Sequence, residues 1–250
     1  MEIKTNQIYQ LGDHLLACGS IMDKDLLKRL VGKEKISCIL SDPPYAVEVT
    51  KSKSSFGCKL SCNKEILNDH IQSDEEYRKF SKEWLENIKP YLNKKNSVYI
   101  FNSDRMIFSL REAMVEAGYK FAQMLIWIKS HCVIGRMDYL PQHELIAYGW
   151  HGSHEFKRSK DKSLLFCPKP SKSKLHSTMK PVALLRNIVL NSTDIGDYVF
   201  DGFLGSGSVL IACEHLKRKC LAVEIDEGYC DIIIRRWEKV SNKKAKLLNI

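Results

Sequence analysis

The 250-residue chain contains no window close to the roughly 20 consecutive apolar residues that a membrane-crossing helix needs. Its opening, MEIKTNQIYQLGDH, lacks the apolar core of a secretory signal, so no membrane association and a cytosolic location are expected. Internal repeats and long low-complexity tracts are missing too. Nine cysteines are present, but no C-x-x-C pair. Their odd number, and their scatter through apolar runs (Cys38, Cys213, Cys220, Cys230) and loops (Cys58, Cys62, Cys132, Cys167), read as reduced packing thiols. A zinc site built from Cys132, His143, His151, His154, Cys167 or His176 would match no finger spacing, so no metal is expected.

Acidic charge is in the minority. Lys and Arg number 39 against 30 Asp and Glu, a formal charge of +9. Such a balance favours polyanions. Seven Lys/Arg lie between His151 and Lys174, against Glu155 and Asp161. Another group, Lys51, Lys53, Lys59 and Lys64, follows an Asp-Pro-Pro-Tyr stretch. Both segments are polar and poor in helical periodicity, which suits loops forming a phosphate-binding rim.

The remaining sequence alternates strands and helices. HLLAC (14–18), ISCILS (36–41), SVYIFN (97–102), DYVFDGF (197–203) and CLAVEID (220–226) read as strands. Helices are expected over Asp23–Val31, from a Ser73 cap with Glu76 completing a capping box to about Ile88, and over Asp104–Glu116, stopped by Gly118. Further helices follow Pro181 to about Leu190, then Ser208–Leu216 and Tyr229–Val240. FAQMLIWIK and HELIAYGW are strand-like and could pair antiparallel around residues 135–142. The fold class is therefore α/β: a doubly wound, mostly parallel, Rossmann-like sheet with an antiparallel edge pair. The irregular basic stretch up to Leu175 is the best candidate for an insertion.

The stretch VFDGFLGSGSVLIACEHLKRKCLAVEID carries the strongest fold-level signal. A strand runs into Asp201, then a Gly205-Ser206-Gly207 turn, then a helix. Glycines permit a tight turn and close approach to a ligand. Glu224, ending the next strand, can accept both hydroxyls of a ribose. A dinucleotide fingerprint needs glycine where Leu210 stands, and no P-loop lysine follows the last glycine. Asp201 would repel a diphosphate and attract an ammonium. A ligand with a ribose and an ammonium but no phosphate is S-adenosylmethionine.

The second signal is ILSDPPYAVEV, Ile39 to Val49. Asp42-Pro43-Pro44-Tyr45 follows a buried strand, where open α/β sheets bind ligands. An exocyclic amino group on a base is a poor nucleophile, because its lone pair is delocalised into the ring. Two fixed acceptors aimed at its hydrogens favour the pyramidal, positively charged nitrogen. The Asp42 carboxylate can be one; the Pro43 carbonyl can be the other, since proline keeps its C=O. The rigid prolines preorganise both, and Tyr45 offers a ring for stacking.

DPPY followed later by FDGFLGSGS resembles the β class of DNA amino-methyltransferases, in which the catalytic motif precedes the cofactor motif. The likeness to phage-type adenine-N6 methyltransferases covers most of the chain, including PQHELIAYGW, HSTMKPVALL and the segment from Ile211 to Glu238. The resemblance implies S-adenosylmethionine as cofactor, DNA as partner, a possible homodimer, and a place in restriction–modification. It implies that Asp42, Pro43, Pro44 and Tyr45 meet the target base. Asp201, Phe203, Gly205, Ser206, Gly207 and Ser208 would form the cofactor turn, Glu224 would take the ribose, and Asp42 would also lie against the cofactor. Thr178 and Lys180 would sit by the methionine carboxylate, which Lys180 can neutralise. Three motifs depart from the pattern: Gly202 replaces a proline, HSTMKP replaces HPTQKP, and Gly19-Ser20 replaces Gly-Asp.

The expectation is thus a single methyltransferase domain, 1–250, with a small target-recognition insertion at 130–175. It would methylate adenine N6 in a flipped-out nucleotide of DNA. Cytosine N4 of DNA, an RNA base, or binding without catalysis are the alternatives.

Overall fold

The computed structural model describes residues 2–44, 73–132, 138–158, 161–168 and 179–248. In chain order the elements are β1 (Ile8–Leu11), β2 (His14–Cys18), α1 (Lys24–Val31), β3 (Ile36–Ser41), α2 (Asp74–Ile88), a 3-10 turn (Lys89–Tyr91), β4 (Leu92–Asn102) and α3 (Ile107–Glu116). There follow β5 (Lys120–Ile128), β6 (His143–Trp150), β7 (Leu164–Phe166), α4 (Val182–Ser192), β8 (Tyr198–Asp201), α5 (Ser208–Leu216), β9 (Lys219–Glu224), α6 (Glu227–Ser241) and β10 (Lys246–Leu248). One ten-stranded sheet has the order β10-β1-β2-β9-β8-β3-β4-β6-β5-β7.

The pairs from β2 through β9, β8 and β3 to β4 are parallel, as strand–helix–strand repetition requires. The expected antiparallel pair is there: β5 lies against β6, and β6 against β4. Side chains alternate between two cores, one on each sheet face. Cys38 and Leu40 of β3, with Tyr99 and Phe101 of β4, join the core under α4, α5 and α6. Ile36 and Ile39, with Val98 and Ile100, join the core under α1, α2 and α3. Burial on both faces explains why ISCILS is mostly apolar and why its two serines are small and buried.

Local chemistry sets several boundaries. Asp23 caps α1 by accepting from the Asp25 and Leu26 amides. Ser73 and Glu76 form the expected capping box at α2. Helix α3 begins at Ile107, three residues later than the sequence suggests, because Asp104–Met106 form a turn in which Asp104 accepts from the Arg105 amide. Gly118, at φ 85°, closes that helix where expected.

Three strands carried no sequence signal strong enough to read. β1 and β10 add an antiparallel edge beyond β2, and β7 pairs parallel with β5. Each spans three or four residues. The segment 130–175 thus contributes β6 and β7 to the sheet.

The arrangement places a switch point between β8 and β3. The chain leaves β8 through α5 towards β9 and leaves β3 through α2 towards β4, in opposite directions across the sheet. A crevice opens at the carboxyl ends of two strands whose connections diverge this way.

Candidate active site

Four loops meet along that edge, and hydrogen bonds tie them in a row. The Gly19 amide, after β2, donates to the Glu224 carbonyl at 2.9 Å. The Leu204 amide, after β8, donates to the Val223 carbonyl at 3.1 Å. The Gly205 amide donates to Glu224 Oε2 at 2.7 Å, and the Asp226 amide to Oε1 at 3.0 Å. The Gly202 amide donates to Ser41 Oγ at 3.1 Å, joining the glycine turn to the strand end that carries Asp42. The sequence-predicted Asp42, Pro43, Asp201, Gly205 and Glu224 thereby share one edge of the sheet. Tyr45 and Thr178 lie outside the described residues, as do Lys51, Lys53, Lys59 and Lys64.

The turn itself is held from behind. Gly205 and Gly207 take φ of 55° and 82°, where residues with a side chain are strained. A Cβ on Gly207 would meet Ile233 of α6 at 3.3 Å. Arg236, also on α6, donates through Nη1 to the Ser206 carbonyl at 2.8 Å and lies 3.2 Å from Ser208 Oγ. Phe203 packs edge-on to Trp84 of α2, with ring centroids 5.6 Å apart. A Cβ on Gly202 would stand 2.1 Å from Ile21 Cδ1. Ile21 therefore fills the space that the family's usual proline ring would need there.

The donor set indicates what the turn accepts. The amides of Gly202, Phe203, Leu204, Gly205 and Gly207 all donate within the protein, so they do not form a nest for a diphosphate. The carboxylates of Asp201 and Glu224 stand among these amides and accept from them. Burial pushes the Asp201 carboxyl up to about 7, against the pull of the Phe203 amide and the Ser41 hydroxyl, and Asp42 and Glu224 raise it further. Burial likewise pushes Glu224 up to about 7, although the Asp226 and Gly205 amides favour its ionised form. A cationic ligand with hydroxyls suits this set, as S-adenosylmethionine would.

Across the switch point the surroundings change. Lys180, just before α4, donates through Nζ to Asp42 Oδ2. The same Nζ is 3.1 Å from Glu144 Oε2 on β6. Glu144 Oε1 is 2.8 Å from Lys129 Nζ, one residue past β5. Lys180 and Lys129 are buried, at 7% and 5% side-chain exposure. Phe101 lies under Lys180 at 5.0 Å and Trp127 under Lys129 at 5.4 Å, ring centroid to Nζ. Burial alone would lower the Lys180 ammonium, but Asp42 and Glu144 overcome it and hold its pKa above the ordinary lysine value. Burial would raise Glu144, but the two lysines hold it below the ordinary carboxylate range.

Sequence reasoning assigned no role to Glu144, Lys129 or Arg236. For Glu144 a signal existed, an acid two residues into an otherwise apolar strand, HELIAYGW. Part of the basic stretch is committed within the protein: Lys157 pairs with Asp194 at 2.8 Å and Glu155 at 3.1 Å. Among the described residues, no three His, Cys, Asp or Glu converge as a metal site, and no helix is long and apolar enough to cross a membrane.

Known proteins resemble this chain in sequence and in fold. The type II methyltransferase M2.DpnII of Streptococcus pneumoniae is 26% identical over 224 residues, covering 82% of this chain and 83% of the relative. The crystal structure of the M1.HpyAVI–SAM complex superimposes with a TM-score of 0.65 at 21% identity, covering 88% of this chain and 98% of that one. PvuII DNA methyltransferase, cytosine-N4-specific, superimposes with a TM-score of 0.71 at 16% identity, covering 91% and 89%. Residues 36–235 match the DNA methylase family profile, a span from the first residue of β3 well into α6, and the chain belongs to that family.

Proposed function

We propose that the protein transfers a methyl group from S-adenosylmethionine to adenine N6 of a nucleotide flipped out of DNA. The observation that carries this reading is the junction at the switch point. In a DNA methylase, the Asp42-Pro43-Pro44 corner is knitted through Ser41 to a glycine turn lined by the Asp201 and Glu224 carboxylates. The choice of adenine over cytosine rests on the acid at Asp42, by resemblance to adenine-specific relatives. The fold does not decide it, since cytosine-N4-specific PvuII shares that fold.

When bound, S-adenosylmethionine supplies an electrophilic methyl group on a cationic sulfur. Glu224 presents carboxylate oxygens to the ribose hydroxyls, while its grip on the Gly205 amide keeps the turn closed around the ligand. Asp201, which accepts from the Phe203 amide at 3.0 Å, would stand near the cofactor's ammonium and, once ionised, balance its charge. Thr178 and Lys180 belong to the segment beside the methionine end. Asp42 accepts one hydrogen of the target amine, and the Pro43 carbonyl accepts the other. Both groups stabilise positive charge as it develops on nitrogen. Tyr45 stacks on the base. Neither acceptor needs to become a base during transfer, because the methylated amine can release its proton to water. Alignment of nitrogen with the methyl group supplies much of the rate.

The basic loops would contact phosphates around the flipped nucleotide, and residues 130–175 would read the target sequence. A cytoplasmic enzyme of a restriction–modification system, acting as a monomer or homodimer, fits this reading. Tritium transfer from labelled cofactor to DNA and RNA, followed by nucleoside analysis, tests it. N6-methyladenine in DNA is the expected product. Labelling of RNA alone, or of cytosine alone, would overturn it.

A further inference from the structure

The mechanism above leaves an obstacle. One carboxylate oxygen of Asp42, Oδ2, is already engaged by the Lys180 ammonium. A cation there weakens the carboxylate as an acceptor and sits beside a nitrogen that must become positive. Buried ammonium groups do not leave a carboxylate cheaply unless another receives them. The second carboxylate is in place: Glu144 Oε2 stands 3.1 Å from the same Nζ. Its position is fixed by Lys129 on its other oxygen, at 2.8 Å. The Lys129 amide and the Gln142 side chain close the base of the β5–β6 pair through bonds of 2.8 and 3.0 Å.

We propose that Glu144 is a positioning residue for methyl transfer: it receives the Lys180 ammonium when the target amine takes its place on Asp42. The chain of alternating charges, Lys129–Glu144–Lys180–Asp42, stays neutral as a whole when the ammonium shifts from one carboxylate to the other. Small motion of one side chain then releases Asp42 Oδ2 from the ammonium. Lys129 holds Glu144 still, so the shift is borne by Lys180 alone. Nothing in this step breaks a covalent bond or moves a proton. The inference rests on the methyl-transfer reading above.

Single-turnover methyl transfer with the full chain and a DNA substrate tests it. Wild-type protein must first label DNA; failure there refutes the functional reading itself, before Glu144 is addressed. Glu144→Gln keeps the shape and removes the charge. Its expected effect is a rate lowered by about tenfold or more, with the cofactor Kd within about threefold of wild type. Glu144→Gln leaves the buried Lys129 charge unbalanced, so Lys129→Met/Glu144→Gln is the companion that restores neutrality. Under the proposal this double variant remains slow although its thermal stability recovers. Adding Glu144→Gln to a Lys180→Gln background changes the rate by less than about twofold, because Glu144 acts through Lys180. A wild-type rate in Glu144→Gln, a recovered rate in the charge-balanced variant, or a full additional loss in the Lys180→Gln background would overturn the proposal.

Discussion

Asp201 and Glu224 stand on one side of the switch point and Asp42 on the other, and their surroundings are opposite in kind. Among the described residues, the first two form no ion pair; backbone amides and the Ser41 hydroxyl hold them, and burial leaves both carboxyls near 7. Asp42 is the more exposed, at 27%, and has Lys180 against it, with Glu144 and Lys129 behind. The difference concerns where the balancing charge comes from. On the cofactor side the ligand brings it, so the turn itself carries an excess of acid. On the base side the incoming amine is neutral, so the protein must supply its own cation and then move it aside. A single row of strand ends therefore serves two chemistries through the placement of two lysines.

The largest expected effect comes from the base side. Asp42→Ala should lower the methyl-transfer rate by roughly 100- to 1,000-fold, the scale of losing one preorganised charge-stabilising group. Cofactor affinity should change far less, and equilibrium binding beside single-turnover rates separates the two. A comparable loss of cofactor binding would merge the two halves of the site and break the comparison.

Glu224→Gln probes the other half. It weakens the acceptor for the ribose and for the Gly205 amide, so cofactor affinity should fall by about 10- to 100-fold, as for a hydrogen bond to a charged group. The transfer rate at saturating cofactor should stay within a few-fold of wild type by the same argument. Calorimetric titration reads the first quantity and rapid quench the second.

The raised carboxyls give a pH prediction of smaller size. The ordinary values of Asp201 and Glu224 are 3.8 and 4.5, and both rise to about 7 in the fold. Between these limits the folded protein keeps protons that the unfolded chain has released. Stability from these two acids therefore falls as pH rises through that window and levels off above it. A cationic cofactor favours the ionised acids, so its binding should release protons near pH 7 and tighten from pH 6 to 8, by up to about tenfold per unit for each acid. Titration in two buffers of different protonation enthalpy detects the release. Proton uptake on binding would contradict the account of this half.

The smallest effect should come from the turn's backbone. Gly207→Ala places a side chain at φ 82° with Ile233 at 3.3 Å, which should cost about 1–2 kcal/mol of stability. Thermal unfolding measures it, and Ile233→Val should return part of the loss.

Much of the frame was legible because it depends on short-range chemistry. The Ser73–Glu76 capping box, the Gly118 stop and the apolar runs of β3 and β9 are local signals, and each lies within two residues of where the sequence put it, whereas β4 starts at Leu92, five residues before the expected Ser97. The edge strands β1, β7 and β10 were not legible, since strands of three or four residues gain their pairing from neighbours rather than from a pattern of their own. Within the site, Asp42 and Asp201 could be read because each follows or ends a strand beside proline or glycine, and Glu224 because it ends the strand after the glycine turn. The ion-pair chain could not, because Lys129, Glu144 and Lys180 come from separate elements and meet Asp42 only when β6 packs beside β4. The Gly202 departure became intelligible only once Ile21 was found against it.

The most direct test of the account is to sequence modified bases in DNA from methylation-free cells expressing either the wild-type protein or Asp42→Ala. The account predicts N6-methyladenine at a recurrent sequence with the wild-type protein and its near-complete loss with Asp42→Ala. N4-methylcytosine in its place, no modified base from a soluble cofactor-binding protein, or undiminished methylation by Asp42→Ala would contradict it.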